Sequence, residues 1–374
     1  MRGHGRTRRP IELAARPYDR AVTNPARVVL IGYGLAGAVF HAPLIEVVDG
    51  LELSAIVTRD RHRRRDARHK HPSAALLDSA ADVWRRRGDF ELVVVAAPNR
   101  LHVPLARAAI DSGIAVVVDK PFAPSAGEAR QVVAEARARD VLLTVFQNRR
   151  WDGDMLTLQR LLAERALGNI FRFESRFERW RPQLAGGWRE SGATEEAGGL
   201  LYDLGSHLVD QALQLFGPAR SVYAELDTRR ESAEVDDDVF VALSHRSGVR
   251  SHLWMSSVAA QPAARLRVLG SRATYVKHGL DVQEEELRAG ARPDGPGWGR
   301  EPEERWGILG AGANLERVPT QPGAYQRFYE GVAAALHEGA PPPVDPDEVL
   351  VALEVLDAAR ASARGRCVVE LAAD

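Results

Sequence analysis

The apolar residues of this chain fall into two patterns. Up to Phe146 they form short, continuous, largely β-branched runs: 27–31 (RVVLI), 51–57 (LELSAIV), 91–96 (ELVVVA), 115–119 (AVVVD) and 141–146 (VLLTVF). The first sits between Pro25 and Gly32. Runs of this length, with little polar alternation, predict strands buried on both faces. Ala-rich stretches mixed with polar and charged residues lie between them at 38–48, 101–112 and 125–140, and predict helices. Gly113 follows the second as a C-terminal cap. Strand–helix alternation of this kind predicts a parallel sheet with helices on both faces.

From Asn148 onward the pattern changes. Helices are expected over 152–166, ending before Gly168, and over 199–216, closed by Gly217-Pro218. Shorter segments follow at 221–227, 238–245, 249–256 and 264–269. Tight polar links such as His245-Arg246-Ser247-Gly248 predict antiparallel hairpins. Residues 289–299 are rich in Gly and Pro and read as loop. Late helices are expected at 325–338 and 347–363, the second opening after Asp345-Pro346. The acidic triplet Asp236-Asp237-Asp238 lacks the spacing of a calcium loop and reads as a solvated strand entry. No internal repeat is visible.

The expected architecture is α/β in two parts. Residues 27–148 form a Rossmann dinucleotide-binding domain. Residues 149–340 form an α+β domain with a large, mostly antiparallel open sheet. Residues 341–374 supply a helix and tail that pack back on the body. A length of 374 residues suits two domains. Residues 1–26 are rich in Arg and Pro and read as a mobile tail or an over-extended start. Arg8-Arg9 prompts comparison with a twin-arginine signal, but Pro10 and a mixed stretch follow in place of an apolar run.

Composition narrows the function classes. The net charge is -1, so no global field favours nucleic acid or an anionic membrane. No stretch approaches the roughly 20 apolar residues of a membrane span. The single cysteine, Cys367, excludes an internal disulfide and a cysteine-rich zinc or iron–sulfur site. His69-Lys70-His71 has no carboxylate or cysteine set beside it, so no metal is expected. These features point to a cytoplasmic protein with no nucleic-acid or membrane partner.

Four places carry chemistry. Gly32-Tyr33-Gly34-Leu35-Ala36-Gly37 is a G-x-G-x-x-G between the first strand and a helical segment, the context in which a pyrophosphate is cradled by backbone N–H groups. The second strand ends in Thr58-Arg59, where an NAD enzyme usually places a carboxylate for the ribose 2′-hydroxyl. Arginine there can bind a 2′-phosphate, which favours NADP; Asp60, next in line, keeps NAD open. The basic run at 61–65 reads as a solvated helix face. Lys120, in Asp119-Lys120-Pro121, follows a strand whose carboxyl end faces the ligand crevice. It could place a positive charge beside a reacting oxygen, or be a surface lysine. Asp203 and His207 lie four apart on one expected helix and share a face beside an apolar stripe. They suit proton transfer, with the carboxylate favouring the charged imidazole, but a structural Asp/His pair fits as well.

Taken together the motifs resemble the glucose–fructose oxidoreductase / inositol dehydrogenase (Gfo/Idh/MocA) family. The matching pieces are IGYGLAGAVFHAPLI (31–45), VVVAAPNRLHVPLA (93–106), VVVDKPFA (116–123), VFQNRRWDGDMLTL (145–158) and GGLLYDLGSHLVDQALQLFG (198–217). QNRRWDGD, ERWRP (178–182) and YDLGSHLVDQ are similar to the NADP-dependent scyllo-inositol dehydrogenase branch. The family usually has Glu before its Lys-Pro; here it is Asp119.

The resemblance implies hydride transfer between a nicotinamide and a secondary alcohol or ketone of a polyol, inositol or sugar. It implies Lys120, Asp203 and His207 as the catalytic set. Gly32, Gly34, Leu35, Ala36, Gly37, Thr58, Arg59, Pro98, Asn99, His102 and Lys120 would contact the cofactor. Asn148, Arg149, Trp151, Asp152 and Tyr202 would line the substrate pocket, and Trp188-Arg189 would reach cofactor or substrate. A homodimer or homotetramer through the C-terminal sheet is also implied. Three alternatives stay open: a ketoreductase of a nucleotide-linked keto-sugar, a cyclic-diol dehydrogenase, and a non-catalytic nicotinamide-binding sensor.

Overall fold

The computed structural model describes residues 24–184, 186, 190, 192 and 196–372. The expected N-terminal tail up to residue 23, and Trp188 and Arg189, lie outside the described residues. Six strands form the first sheet: β1 (Ala26–Ile31), β2 (Leu51–Val57), β3 (Ala75–Leu77), β4 (Leu92–Val95), β5 (Ala115–Val118) and β6 (Leu143–Val145). Their order is β3-β2-β1-β4-β5-β6, and every pairing is parallel. β4 and β5 are buried at every position, as strands covered on both faces must be. The chain reverses its direction of sheet growth between β1 and β4, and a crevice opens at their carboxyl ends.

The intervening helices are α1 (Ala42–Glu46), α2 (Arg61–Lys70), α3 (Ala80–Arg85), α4 (His102–Asp111) and α5 (Ala126–Ala138). A π-helical turn, Ala36–His41, leads into α1. The basic run is thus the start of α2. Asp60 caps that helix by accepting the Arg63 N–H at 2.9 Å.

The second half contains α6 (Gly153–Ala163), β7 (Ile170–Glu178), α7 (Leu200–Asp203), α8 (Gly205–Phe216), β8 (Ala219–Asp227), β9 (Asp238–His245), β10 (Arg250–Ser256), β11 (Leu266–Gly270) and β12 (Thr274–Lys277). It continues with α9 (Gln283–Arg288), β13 (Gly307–Ala311), β14 (Asn314–Val318), α10 (Gln326–Glu338), α11 (Pro346–Gly365) and β15 (Val369–Glu370). Nine strands pair in the order β14-β13-β12-β11-β7-β10-β9-β8-β15. All neighbours are antiparallel except β7 and β10, which run parallel. β9 alternates strictly between buried and half-buried positions, so one face of the sheet is core. α8 and α11 cover that face, and α11 also packs on α5 and β6 of the first sheet. Among the described residues no helix is long and apolar enough to cross a membrane.

Two expectations give way here. The single helix over 199–216 is broken at Leu204 into α7 and α8. The carbonyl of Asp203 is taken by the Lys120 ammonium at 2.6 Å, and the His207 N–H turns to the carbonyl of Leu204 at 3.1 Å. The acidic triplet is also not a solvated strand entry. Asp236 accepts the Leu201 N–H at 2.7 Å, at the start of α7. Asp237 is buried and accepts the N–H groups of Arg229 and Arg230 together with the Arg230 guanidinium.

The segment carrying Asn148 and Arg149 is fixed by a buried ion pair. Arg150 donates to both Asp210 oxygens, at 2.9 and 2.6 Å, and to Glu348 at 2.7 Å. Asp210→Ala would leave a buried guanidinium with Glu348 alone, so a loss of about 3 kcal/mol is expected in urea denaturation. A volume-matched apolar replacement of both Arg150 and Asp210 should recover most of it; a neutral Asp210→Ala would show that the pair contributes nothing.

Candidate functional site

A cleft of about 950 Å³ runs across the carboxyl ends of β1, β2, β4, β5 and β6 and is walled on the far side by α7, α8, α9 and the segment after β7. The glycine loop forms one end. Gly32 adopts φ +105°, and a Cβ there would lie 2.3 Å from the Ala96 carbonyl oxygen. A Cβ on Gly37 would lie 2.1 Å from the Gly32 carbonyl oxygen, so this glycine lets helix and strand pack. At Gly34 only the Arg63 guanidinium comes within reach, at 3.7 Å, so the backbone there is open to a ligand. Tight turn, open approach and close packing are the three tasks that the dinucleotide fingerprint sets its glycines. Leu35 and Ala36 line the cleft beside them, while Gly37 lies behind.

Thr58, Arg59, Asp60 and Arg63 line the end beyond β2. Arg59 is steadied through its Nε, which donates to the Asp78 carbonyl at 3.0 Å. Asp60 is held below the usual carboxylate range, first by the Arg63 N–H it accepts. Arg63 lay within a run read as a solvated helix face, and its place in the cleft follows from the capped start of α2.

Pro98 and Asn99 line the middle of the cleft. The Asn99 amide donates to the Glu196 carbonyl at 2.8 Å, and its buried Oδ1 has no hydrogen-bond partner among the described residues. His102 stands behind the lining. Its ring nitrogens meet the carbonyls of Pro121 and Ala97 at 2.7 and 2.9 Å, tying the β4 and β5 loops together. Burial lowers its pKa.

At the inner end, Lys120 donates to the Asp203 carboxylate at 2.9 Å and to its carbonyl. Asp119, behind it, accepts the Lys120 N–H at 2.8 Å. Burial raises the Asp119 pKa, but His41, His102 and Lys120 outweigh it and hold the carboxyl ionised. His207 also lines the cleft, and its buried Nδ1 has no hydrogen-bond partner among the described residues. Its pKa is pushed well below 6.5, first by burial and then by Lys120, Arg149, Arg265 and Arg179. The expected charged imidazole is therefore reversed: Asp203 is committed to Lys120, and cations surround the ring.

Asn148 and Arg149 reach the cleft. Arg149 donates to Glu284 at 2.9 Å and sits 4.8 Å over the Phe177 ring. Trp151, Asp152 and Tyr202 stand behind the lining. Trp151 packs edge-on against Phe328. Asp152 accepts the Tyr325 hydroxyl at 2.7 Å and lies 3.6 Å from Arg149. The Tyr202 hydroxyl meets Pro124 and Asp357, each at 3.0 Å. Arg179, Arg181, Glu284 and Arg288 also line the cleft; the first two stood in the ERWRP motif with no role given to them, and no motif marks Glu284 or Arg288.

The fold holds the His207 imidazole neutral, so acidification below 6.5 favours the unfolded chain through this residue. An NMR titration should find its midpoint well below 6.5, and Arg179→Gln should move that midpoint upward. A midpoint at or above 6.5 would contradict the cationic surroundings.

Residues 26–147 match the NAD-binding Rossmann fold of the GFO_IDH_MocA oxidoreductase family, and residues 159–371 match the family's C-terminal alpha/beta domain. The chain is 33% identical to the scyllo-inositol 2-dehydrogenase (NADP(+)) IolW of Bacillus subtilis, over 94% of this chain and 98% of that protein. It is 39% identical to YdgJ, an uncharacterized oxidoreductase of Escherichia coli, over 92% of this chain and 99% of that one. The solved structure of YPO2259 from Yersinia pestis, described as an oxidoreductase, has a TM-score of 0.87 at 37% identity, covering 95% of this chain and 99% of its own. With both domain models matched in order, the chain belongs to the Gfo/Idh/MocA oxidoreductase family and carries its NAD(P)-binding Rossmann domain.

Proposed function

We propose that the chain interconverts a secondary alcohol and a ketone on a polyol, inositol or sugar, with NADP as the dinucleotide. The observation that carries this reading is the meeting of Lys120, Asp203 and His207 at the inner end of the cleft that the glycine loop opens. The glycine loop, Pro98 and Asn99 would hold the dinucleotide. A bound nicotinamide supplies hydride acceptance and donation. The neutral His207 takes the hydroxyl proton, and Nε2 is the ring nitrogen left to meet it, since Nδ1 is buried. Two of the three Lys120 donors go to Asp203, and the third is left for the substrate oxygen, where it steadies developing negative charge. Asp203 holds the ammonium in place. Asn148 and Arg149 face the substrate, and Trp151, Asp152 and Tyr202 support them.

NADP is favoured because Asp60 is engaged as a helix cap while Arg59 and Arg63 line the far end. The NADP(+) in the name of IolW agrees with this. Self-association through the nine-stranded sheet fits its register, which places Tyr223, Phe240 and Trp254 on the face opposite the core.

Lys120→Ala and His207→Ala should each cut turnover at least about a hundredfold, with losses that do not add in the double variant. NADPH absorbance across inositols, inososes, hexoses and nucleotide-linked keto-sugars measures this and selects among the substrate classes. Near-normal turnover in His207→Ala would remove the residue from proton transfer. Arg59→Ala should weaken NADP selectively, by about 1–3 kcal/mol, and equal losses for NAD would overturn the NADP assignment.

A further inference from the structure

We infer that the substrate carries an oxyanion, a carboxylate or a phosphate ester, received by Arg179 and Arg181. The inference rests on the alcohol–ketone reading above and narrows its substrate. Besides Arg59 and Arg63 beyond β2, the cleft is lined by five cations: Lys120, Arg149, Arg179, Arg181 and Arg288. Three are paired. Lys120 meets Asp203 at 2.9 Å, and Arg149 and Arg288 share Glu284, each at 2.9 Å. Arg179 and Arg181 form no ion pair with any described residue.

Arg179 is half-buried and Arg181 exposed, but the backbone that carries them is fixed. The Arg179 and Arg181 N–H groups donate to the carbonyls of Ser256 and Ser257, at 2.8 and 2.7 Å, which extends the pairing beyond β7. Trp180, between them, bridges to Val258 and is exposed. Extended backbone sends alternate side chains to opposite sides, so both arginines turn toward the cleft while Trp180 turns out. The Arg179 guanidinium lies 4.8 Å from the centroid of Phe177, the ring that also carries Arg149 at 4.8 Å and Arg265 at 5.5 Å. The ring face offsets part of this crowding but supplies no carboxylate. Burial, followed by Arg181, pushes the Arg179 pKa down. Asp203 and Glu284 offset part of that repulsion without pairing with Arg179. A guanidinium with no ion-pair partner among the described residues, held beside Arg149 and Arg181, is a site that an anion completes, with charge-assisted bonds that a neutral hydroxyl cannot match.

The dinucleotide's own phosphates would lie elsewhere. They belong to the glycine loop after β1 and to Arg59 and Arg63 beyond β2. Strand β5, which carries Lys120 at its end, is three strands from β2, about 14 Å at ordinary strand spacing.

Matched substrate pairs test the inference: an inositol against its monophosphate, and a hexose against its aldonic and uronic acids, each with NADP in phosphate-free buffer. The wild-type chain should show a kcat/KM at least about tenfold higher for an anionic member than for its neutral partner. Arg179→Gln and Arg181→Gln should each lose more on the anionic member than on the neutral one. Equal or better use of the neutral members by the wild type would overturn the inference and leave the alcohol–ketone reading standing. So would a loss of NADP affinity in Arg179→Gln as large as its loss on the anionic substrate, because the arginines would then serve the dinucleotide. If no member is turned over, calorimetric titration of the NADP-bound wild type with inorganic phosphate and with tartrate decides. Binding that the Gln variants lack supports the anion site while the reaction class falls, and no binding overturns it.

Discussion

The structure turns on one ammonium group. Lys120 leaves the carboxyl end of β5 and is bonded twice to Asp203, through the carboxylate and through the backbone carbonyl. The second contact has the larger structural effect. A helical carbonyl normally accepts the N–H four residues on, which here would be that of His207. With that carbonyl occupied, the His207 N–H turns to Leu204, and the helix breaks between α7 and α8. One lysine from the first sheet thus sets the local geometry of the helix that carries the imidazole. Asp236 secures the other end of α7 by accepting the Leu201 N–H, and a side chain on Gly199 would collide with that carboxylate at 2.3 Å.

The same contact decides the electrostatics. Had Asp203 faced the imidazole, it would have favoured the charged ring. Paired with Lys120 instead, it leaves His207 buried among Lys120, Arg149, Arg265 and Arg179, all of which disfavour a further proton. Behind this layer, buried ion pairs fix the arginines. Arg150 is forked onto Asp210, and Arg149 is flanked by Glu284, Asp152 and Tyr325. These bonds hold the turn after β6 against α8 and α9, so the position of one guanidinium depends on elements far apart in the chain.

Much of the fold was legible because the first-sheet strands are apolar at nearly every position and need no partner to be recognised. The ends of β1, β2, β4 and β5 then placed the glycine loop, Arg59 and Lys120 at one crevice. β7 was harder to see. Its outward positions are Arg172, Glu174, Arg176 and Glu178, which pair with each other along the strand and with Arg267 across it. Charge on that scale hides the alternation with Phe173, Ser175 and Phe177. α2 was hidden for a different reason: Ala67 is its only buried residue, so it shows no apolar period. Arg179 and Arg181 stood in ERWRP without a role, since their place in the cleft depends on the parallel pairing of β7 with β10. Sequence order alone gave no sign of that pairing, which joins strands separated by two helices and two other strands.

The far end of the cleft shows how one carboxylate can be near a ligand site and yet serve the backbone. Asp60 follows Arg59 directly, and by position alone it could hold a ribose hydroxyl. Its oxygen instead accepts the Arg63 N–H and starts α2. A helix start without such a cap exposes N–H donors that themselves attract anions. Asp60 satisfies one of those donors and fixes the direction in which the helix leaves β2. That direction brings the Arg63 side chain back over Gly34, 3.7 Å from where a Cβ would lie, while Arg64 turns away to Asp78 at 2.7 Å. One oxygen of Asp60 makes this cap while the residue still lines the cleft. The two residues are therefore coupled: the carboxylate that starts the helix also sets where the positive charge of Arg63 stands.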